Sequence, residues 1–382
     1  MSLSPSILES EPRPAPALSF ERLPRYLLCA YALLIIYASL YPFADWRDPA
    51  LSIFYFVSAA WPRYWTAFDL ATNMAAYVPL GFLLALSLEA ATRRWVAALA
   101  AILLASFLSF SMESLQTWLP SRVASNVDWA CNSFGAALGA LLSWWRGPRV
   151  FSGLARLQQK LLTTRPYAEL GLVLVGLWLL TQLSPETSLF GAGDLRLLFE
   201  ITPTIAYEAH SFFAIETGII VCETLAIGLI GRSILNGRSS SYWALAAFFA
   251  LALLIRALAA AILVGPQDAF IWLTPGAIFG LLIGWALLAL ALLLPASFRV
   301  ALACLALMAG TVFVNLAPTN PYSAMALSAW RQGHFLNFNG ATRLTARLWP
   351  FLALFYLTLF GRTAEPAPTN GEAARHSGDI PR

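Results

Sequence analysis

Residues 95–116 read WVAALAAILLASFLSFSMESLQ. An apolar run of that length covers the ~30 Å of hydrocarbon in a bilayer when coiled as a helix. It lacks the alternation of apolar and polar residues that a membrane β-strand needs, so the spacing predicts a transmembrane helix. Similar runs recur along the 382 residues, of which 59% are hydrophobic and 12% charged. The mean hydropathy is +0.68. This composition excludes a soluble globular chain and predicts an all-α, polytopic integral membrane protein. The sequence predicts about ten spans: 25–42, 69–90, 95–116, 126–145, 167–183, 211–231, 242–264, 270–294, 297–316 and 347–361.

The same run ends on polar residues, Glu113 and Gln116, and it is flanked by others. Asp69 and Asn73 open the preceding span, Arg122 lies in the following turn, and Asp128 and Asn132 begin the next span. Each pair is three or four residues apart and so shares one helix face. A short link makes spans three and four antiparallel neighbours, so three acids, three carboxamides and one arginine converge at one membrane interface. Ion pairing through Arg122 is the structural reading. Three carboxylates against one arginine leave excess negative charge, which points to a bound proton, cation or ligand ammonium. Gly135 and Gly139 form a small-residue face for close helix approach. Pro79-Leu80-Gly81 is expected to loosen span two near its middle.

Lysine and arginine set the orientation. With a cytoplasmic N-terminus, sixteen of the 24 basic residues fall on the inside and seven outside (Arg47, Arg63, Arg122, Arg196, Arg331, Arg343 and Arg347), while Arg256 sits within a span. Both termini are then cytoplasmic and the polar cluster lies at the outer face. The domains read as a disordered N-terminus (1–22), a four-helix membrane domain (23–146), a basic amphipathic cytoplasmic linker (147–166), a six-helix membrane domain (167–361) and a disordered tail (362–382). A second polar group lies in the six-helix domain: Glu208 and His210 ahead of span six, Glu216 and Glu223 on one face of it, and Arg256 on span seven, placed to pair with either buried glutamate. The loop 317–346, with Trp330, Arg331, His334, Asn337, Asn339 and Arg343, reads as an interfacial or re-entrant cover.

Several chemistries are not signalled. The four cysteines lie in apolar stretches without metal spacing, the three histidines are scattered, and no H-E-x-x-H, Walker A or G-x-S-x-G pattern occurs. No metal is expected, no cofactor is named, and a net charge of +4 without a basic-aromatic stripe argues against nucleic acid. The expected partners are the lipid bilayer and an envelope lipid or glycan; the sequence is silent on oligomeric state.

The ordered pattern Tyr41-Pro42-Phe43, Asp69-x3-Asn73, Pro79-Leu80-Gly81-Phe82, Ser109-x3-Glu113-x2-Gln116, Arg122, Asp128-x3-Asn132-x2-Gly135-x3-Gly139 resembles the VanZ-like family of bacterial membrane proteins over about residues 26–146. The resemblance implies a four-helix domain in a bacterial cytoplasmic membrane. It also implies a link to teicoplanin-type glycopeptide resistance through the founding member. The six-span C-terminal half departs from the minimal family pattern. Three functions are compatible with these readings: handling an envelope lipid or glycan at the outer face, membrane-embedded catalysis on a lipid-linked substrate with Arg122 on phosphate, and proton- or solute-coupled transport through Glu216, Glu223 and Arg256.

Overall fold

The computed structural model describes residues 22–363, apart from 42, 51, 62–65, 90, 162, 164–166, 185–186, 197, 200–207, 237–240 and 319–335. Among the described residues it is all-helical: α1 (Arg22–Leu40), α2 (Tyr55–Ser58), α3 (Ala67–Glu89), α4 (Arg94–Gln116), α5 (Asn126–Leu161), α6 (Ala168–Thr181), α7 (Ala209–Ile234), α8 (Ser241–Leu263), α9 (Pro275–Ala291), α10 (Ala296–Leu316) and α11 (Leu336–Thr363). Six of these (α1, α3, α4, α7, α8 and α10) are long and apolar enough to cross a membrane, while α6 and α9 are shorter apolar helices. Ten spans are therefore the expectation from sequence, and length and composition support six of them. Leucine and phenylalanine side chains such as Leu103, Phe107, Leu282 and Phe355 point outward, more than half exposed, as they do on a surface solvated by lipid rather than water.

The helices depart from the sequence reading in three places. The fourth span and the basic stretch after it form one helix, α5, of 36 residues; the linker up to Leu161 continues the helix rather than forming a separate element. The final helix begins at Leu336 and carries Pro350 inside it, so Asn337, Asn339 and Arg343 belong to a helix rather than a loop, and Trp330 to His334 lie outside the described residues. Helix α3 runs unbroken through Pro79, and no opened backbone lines a cavity there.

Small residues set how closely α3 approaches its neighbours. In lipid, helices gain no hydrophobic free energy by meeting one another, so they pack through small residues that let backbones touch. A methyl group on Gly81 would overlap the Ala136 carbonyl, one on Gly135 the Met74 carbonyl, and one on Gly139 the Val78 carbonyl. Helix α3 is thus laid against α5 along most of its length, and α4 packs on both. In the C-terminal half, α7 is held between α9 and α10, and α6 packs on α11. Helix α1 contacts α3 and α4 on one side and α6 and α11 on the other. The C-terminal core is aromatic. Trp178 stacks among Phe190, Phe248 and Phe249, and the Trp349 indole N–H donates to the Leu174 carbonyl at 2.9 Å.

Candidate functional site

The polar residues of the N-terminal half gather where α3 begins, α4 ends and α5 begins. Two N-terminal caps organise them. Thr66-Ala67-Phe68-Asp69 closes a reciprocal box: the Asp69 amide donates to Thr66 Oγ1 at 3.1 Å, while Asp69 Oδ2 accepts from the Thr66 amide at 3.1 Å and its hydroxyl at 2.8 Å. Ser125-Asn126-Val127-Asp128 has the same sequence form and makes half of it. The amides of Val127 and Asp128 donate to Ser125 Oγ at 3.2 and 3.3 Å. The Ser125 amide, however, donates across the turn to Glu113 Oε2 at 2.8 Å. Glu113 has taken the place that Asp128 would fill in a complete box.

Asp128 is released to the α3 side. The Asn73 side chain stands beside its carboxylate, and both Asp69 and Glu113 are near enough for their charges to repel it. Asp69, Asn73 and Asp128 are partly exposed, whereas Glu113 and Asn132 are buried. One turn deeper, Asn132 Nδ2 donates to Ser109 Oγ at 2.9 Å, and its Oδ1 is buried with no hydrogen-bond partner. The Tyr77 hydroxyl approaches Ser109 without reaching hydrogen-bond geometry.

Arg122 does not neutralise these acids by direct contact. Its Nε and Nη2 donate to the Tyr41 carbonyl at 3.0 and 2.6 Å, and Nη2 also reaches the Ala38 carbonyl at 3.1 Å. Gln116 Nε2 donates to the Ser39 carbonyl at 3.0 Å. Together they satisfy the carbonyl oxygens left open where α1 ends, and a cation suits the negative pole of that helix. Burial pulls the Arg122 guanidinium below its usual value, and the charge of Glu113 opposes that shift. Among the described residues the ion pairs are Arg94–Glu89 and Arg196–Asp194. Among the described residues, Asp69 and Glu113 are answered by amide and hydroxyl donors.

An aromatic cap covers the flank of the cluster. Phe56 of α2 is buried against Phe110 and Trp129, Trp129 Nε1 donates to the Ser106 carbonyl at 3.2 Å, and Asn126 Nδ2 donates to the Ala59 carbonyl at 2.7 Å. Trp46, Tyr55, Trp61 and Trp118 remain exposed around the same end, a distribution typical of residues at a membrane–water boundary. Sequence reasoning passed over Thr66 and Ser125, and gave Ser109 no role beyond its place in the motif. The Thr-x-x-Asp and Ser-x-x-Asp spacings ahead of apolar runs were the signal that could have found the first two.

The second group is split. Glu208 and His210 are exposed at the start of α7. Glu216 is buried and accepts from Thr274 Oγ1 at 2.6 Å, and the same hydroxyl accepts from the Ala277 amide at 3.0 Å as the N-cap of α9. Gly276 leaves room for that carboxylate, because a methyl there would strike Glu216 Oε2. Glu216 therefore sits at the positive pole of α9. Arg256, expected to pair with a glutamate of α7, instead donates to the Ser184 and Thr187 carbonyls. The turn after α6 brings carbonyl acceptors to Arg256 that no spacing within α7 and α8 could have announced. Glu223 is fully buried, and neither carboxyl oxygen has a hydrogen-bond partner.

Comparison with known proteins returns one finding. Residues 25–147 match the VanZ/LLP1 family model. No curated protein and no solved structure matches the chain. The matched segment holds α1 to α4 and the membrane part of α5, including both caps, the α3–α5 glycine contact and every residue of the acidic cluster. The N-terminal helices of this multi-pass membrane protein are a VanZ-like segment.

Proposed function

We propose that the VanZ-like segment handles a cell-envelope lipid or glycan at the outer face of a bacterial cytoplasmic membrane, with an effect on sensitivity to teicoplanin-type glycopeptides. One observation carries the reading. Asp128 is repelled by Asp69 and by Glu113 at the end of three packed helices, and Arg122 has its Nε and Nη2 directed to the carbonyls of α1. The partly exposed Asn73 and Asp128 then offer acceptors to a ligand bearing hydroxyl or ammonium donors, and the surrounding aromatic side chains suit a sugar or headgroup at the interface. The arginine asymmetry of the loops supports the outer placement and two cytoplasmic termini. We take residues 23–146 as the ligand-handling unit and residues 167–361 as a second membrane unit.

The alternative of catalysis on a lipid-linked phosphate is less well supported, because it needs Arg122 for the phosphate and the guanidinium is held by Tyr41 and Ala38. The test is a deletion strain complemented with wild type, Asp69→Asn or Asp128→Asn. Deletion is expected to change the extractable envelope lipids or glycans and the glycopeptide sensitivity, and Asp128→Asn to fail to restore them although the protein accumulates normally. Unaltered envelope composition and sensitivity in the deletion strain would remove the proposal.

A further inference from the structure

The C-terminal half contains a buried acid that no other feature uses. Glu223 lies midway along α7 with no exposed surface. Its two oxygens lack donors, and its Oε1 faces Gly310 of α10, where an added methyl would stand 2.9 Å away. The next residue, Thr224, is also fully buried with an unpartnered hydroxyl, turned instead toward Gly284 of α9. Two consecutive unsatisfied polar side chains therefore sit at one level of the helix, where glycines of both neighbouring helices make room for them.

Among the described residues, the helices around Glu223 supply no countercharge. On α7 itself the charged or titratable side chains are His210, Glu216, Cys222 and Arg232; Glu216 is held by Thr274, and Arg232 donates to the Leu235 carbonyl at the far end. Cys222 is the adjacent group and interacts with Glu223 electrostatically. Helix α6 has Glu169 in its first turn. Helix α8 has Tyr242, at its start, and Arg256, which is directed to Ser184 and Thr187. Helix α9 has none, and α10 has Arg299, beside the Leu292 and Leu294 carbonyls, and Cys304.

Among the described residues, an ionised carboxylate in such a place has neither a donor nor a cation to answer it. A proton removes the charge and occupies almost no volume, which fits a site closed by Gly310 better than any metal or organic cation does. We propose that Glu223 is an exchangeable proton-binding site inside the C-terminal membrane unit, so that this half of the protein couples its conformation to protons. The proposal is independent of the ligand reading for the N-terminal segment. Proton release would require α7 to shift against α10 and admit water, because the closed packing offers the anion nothing.

Infrared difference spectroscopy of the full chain in lipid nanodiscs tests this directly. At neutral pH the wild type is expected to show the carbonyl stretch of a neutral carboxylic acid in apolar surroundings, and Glu223→Gln to lose it. The band should move to lower frequency in D2O and fade as pH is raised. Gly310→Ala, which presses a methyl on Oε1, should shift the band without abolishing it; this keeps the assignment testable if Glu223→Gln fails to fold. Absence of such a band in folded wild type at neutral pH overturns the proposal. A band that survives in D2O without shifting also overturns it, since the acid would then be a fixed structural element.

Discussion

Replacing Glu113 should expose an exchange of caps at the start of α5. In the wild type the Ser125 amide donates to Glu113 at 2.8 Å, and Asp128, three residues beyond Ser125, lies on the Asn73 side. Glu113→Ala leaves that buried amide without its acceptor, which costs about 1–3 kcal/mol. Asp128 already stands at the position that completes a capping box, and swinging back to Ser125 recovers about 1 kcal/mol. Asp128→Ala alone breaks no hydrogen bond of the Ser125 cap and loses only an acid in the first turn of α5, less than about 1 kcal/mol. In the double variant nothing is left to accept the amide, so its destabilisation should exceed the sum of the single effects by about 1 kcal/mol, a coupling of the size seen between residues in one network. Glu113→Gln keeps an oxygen acceptor and should fall near wild type. The four proteins can be compared by titrating mixed micelles with a denaturing detergent and following tryptophan fluorescence. Strict additivity, or a Glu113→Ala variant as unstable as the double, would refute the cap-exchange reasoning.

Other consequences follow from the same geometry. Gly139→Val would drive a branched side chain into the α3 backbone; overpacking of this kind costs about 1–3 kcal/mol or more, and the yield of folded protein on size-exclusion chromatography should fall while Gly176→Ala, at a position open to space, has no effect. Arg122→Met removes three hydrogen bonds to the end of α1 and should destabilise by about 2–4 kcal/mol, since bonds from charged donors count for more than neutral ones; hydrogen exchange should rise first in the last turn of α1, and an unchanged rate there would show that the cap is unimportant. Thr274→Val removes both the N-cap of α9 and the donor to Glu216, a loss of about 1–2 kcal/mol by thermal unfolding. In the loop after α6, burial raises the Asp194 carboxyl, but its bonds to Arg196 and that residue's charge outweigh it and hold the group below the usual carboxylate range. The contribution of that pair is complete above the unfolded-state value of about 4, falls away as pH drops through the lower folded value, and should be absent in Asp194→Asn when unfolding is followed against pH.

By itself the sequence determined the solvent of this protein and the location of its unusual chemistry. Runs such as 95–116 force helices because hydrocarbon leaves no other way to satisfy the backbone. The i,i+4 spacing of Asp69 with Asn73 and of Asp128 with Asn132 placed them on shared faces, and Gly135 with Gly139 announced the contact with α3. Those properties depend on neighbours within a turn or two of one helix. The tertiary structure decided what each polar group does. Arg122 looked like the counterion of three acids, yet it binds Tyr41 and Ala38, about eighty residues earlier in the chain. Glu113 and Asp128 are equal as carboxylates, and only the way α4 docks beside the α5 cap gives the Ser125 amide to one and leaves the other on the Asn73 side. Glu216 and Glu223 share a face of α7, yet the first meets the N-cap of α9 and the second meets a glycine. In a medium that supplies no donors, the identity of the adjacent helix determines whether a carboxyl group is a structural anchor or a site.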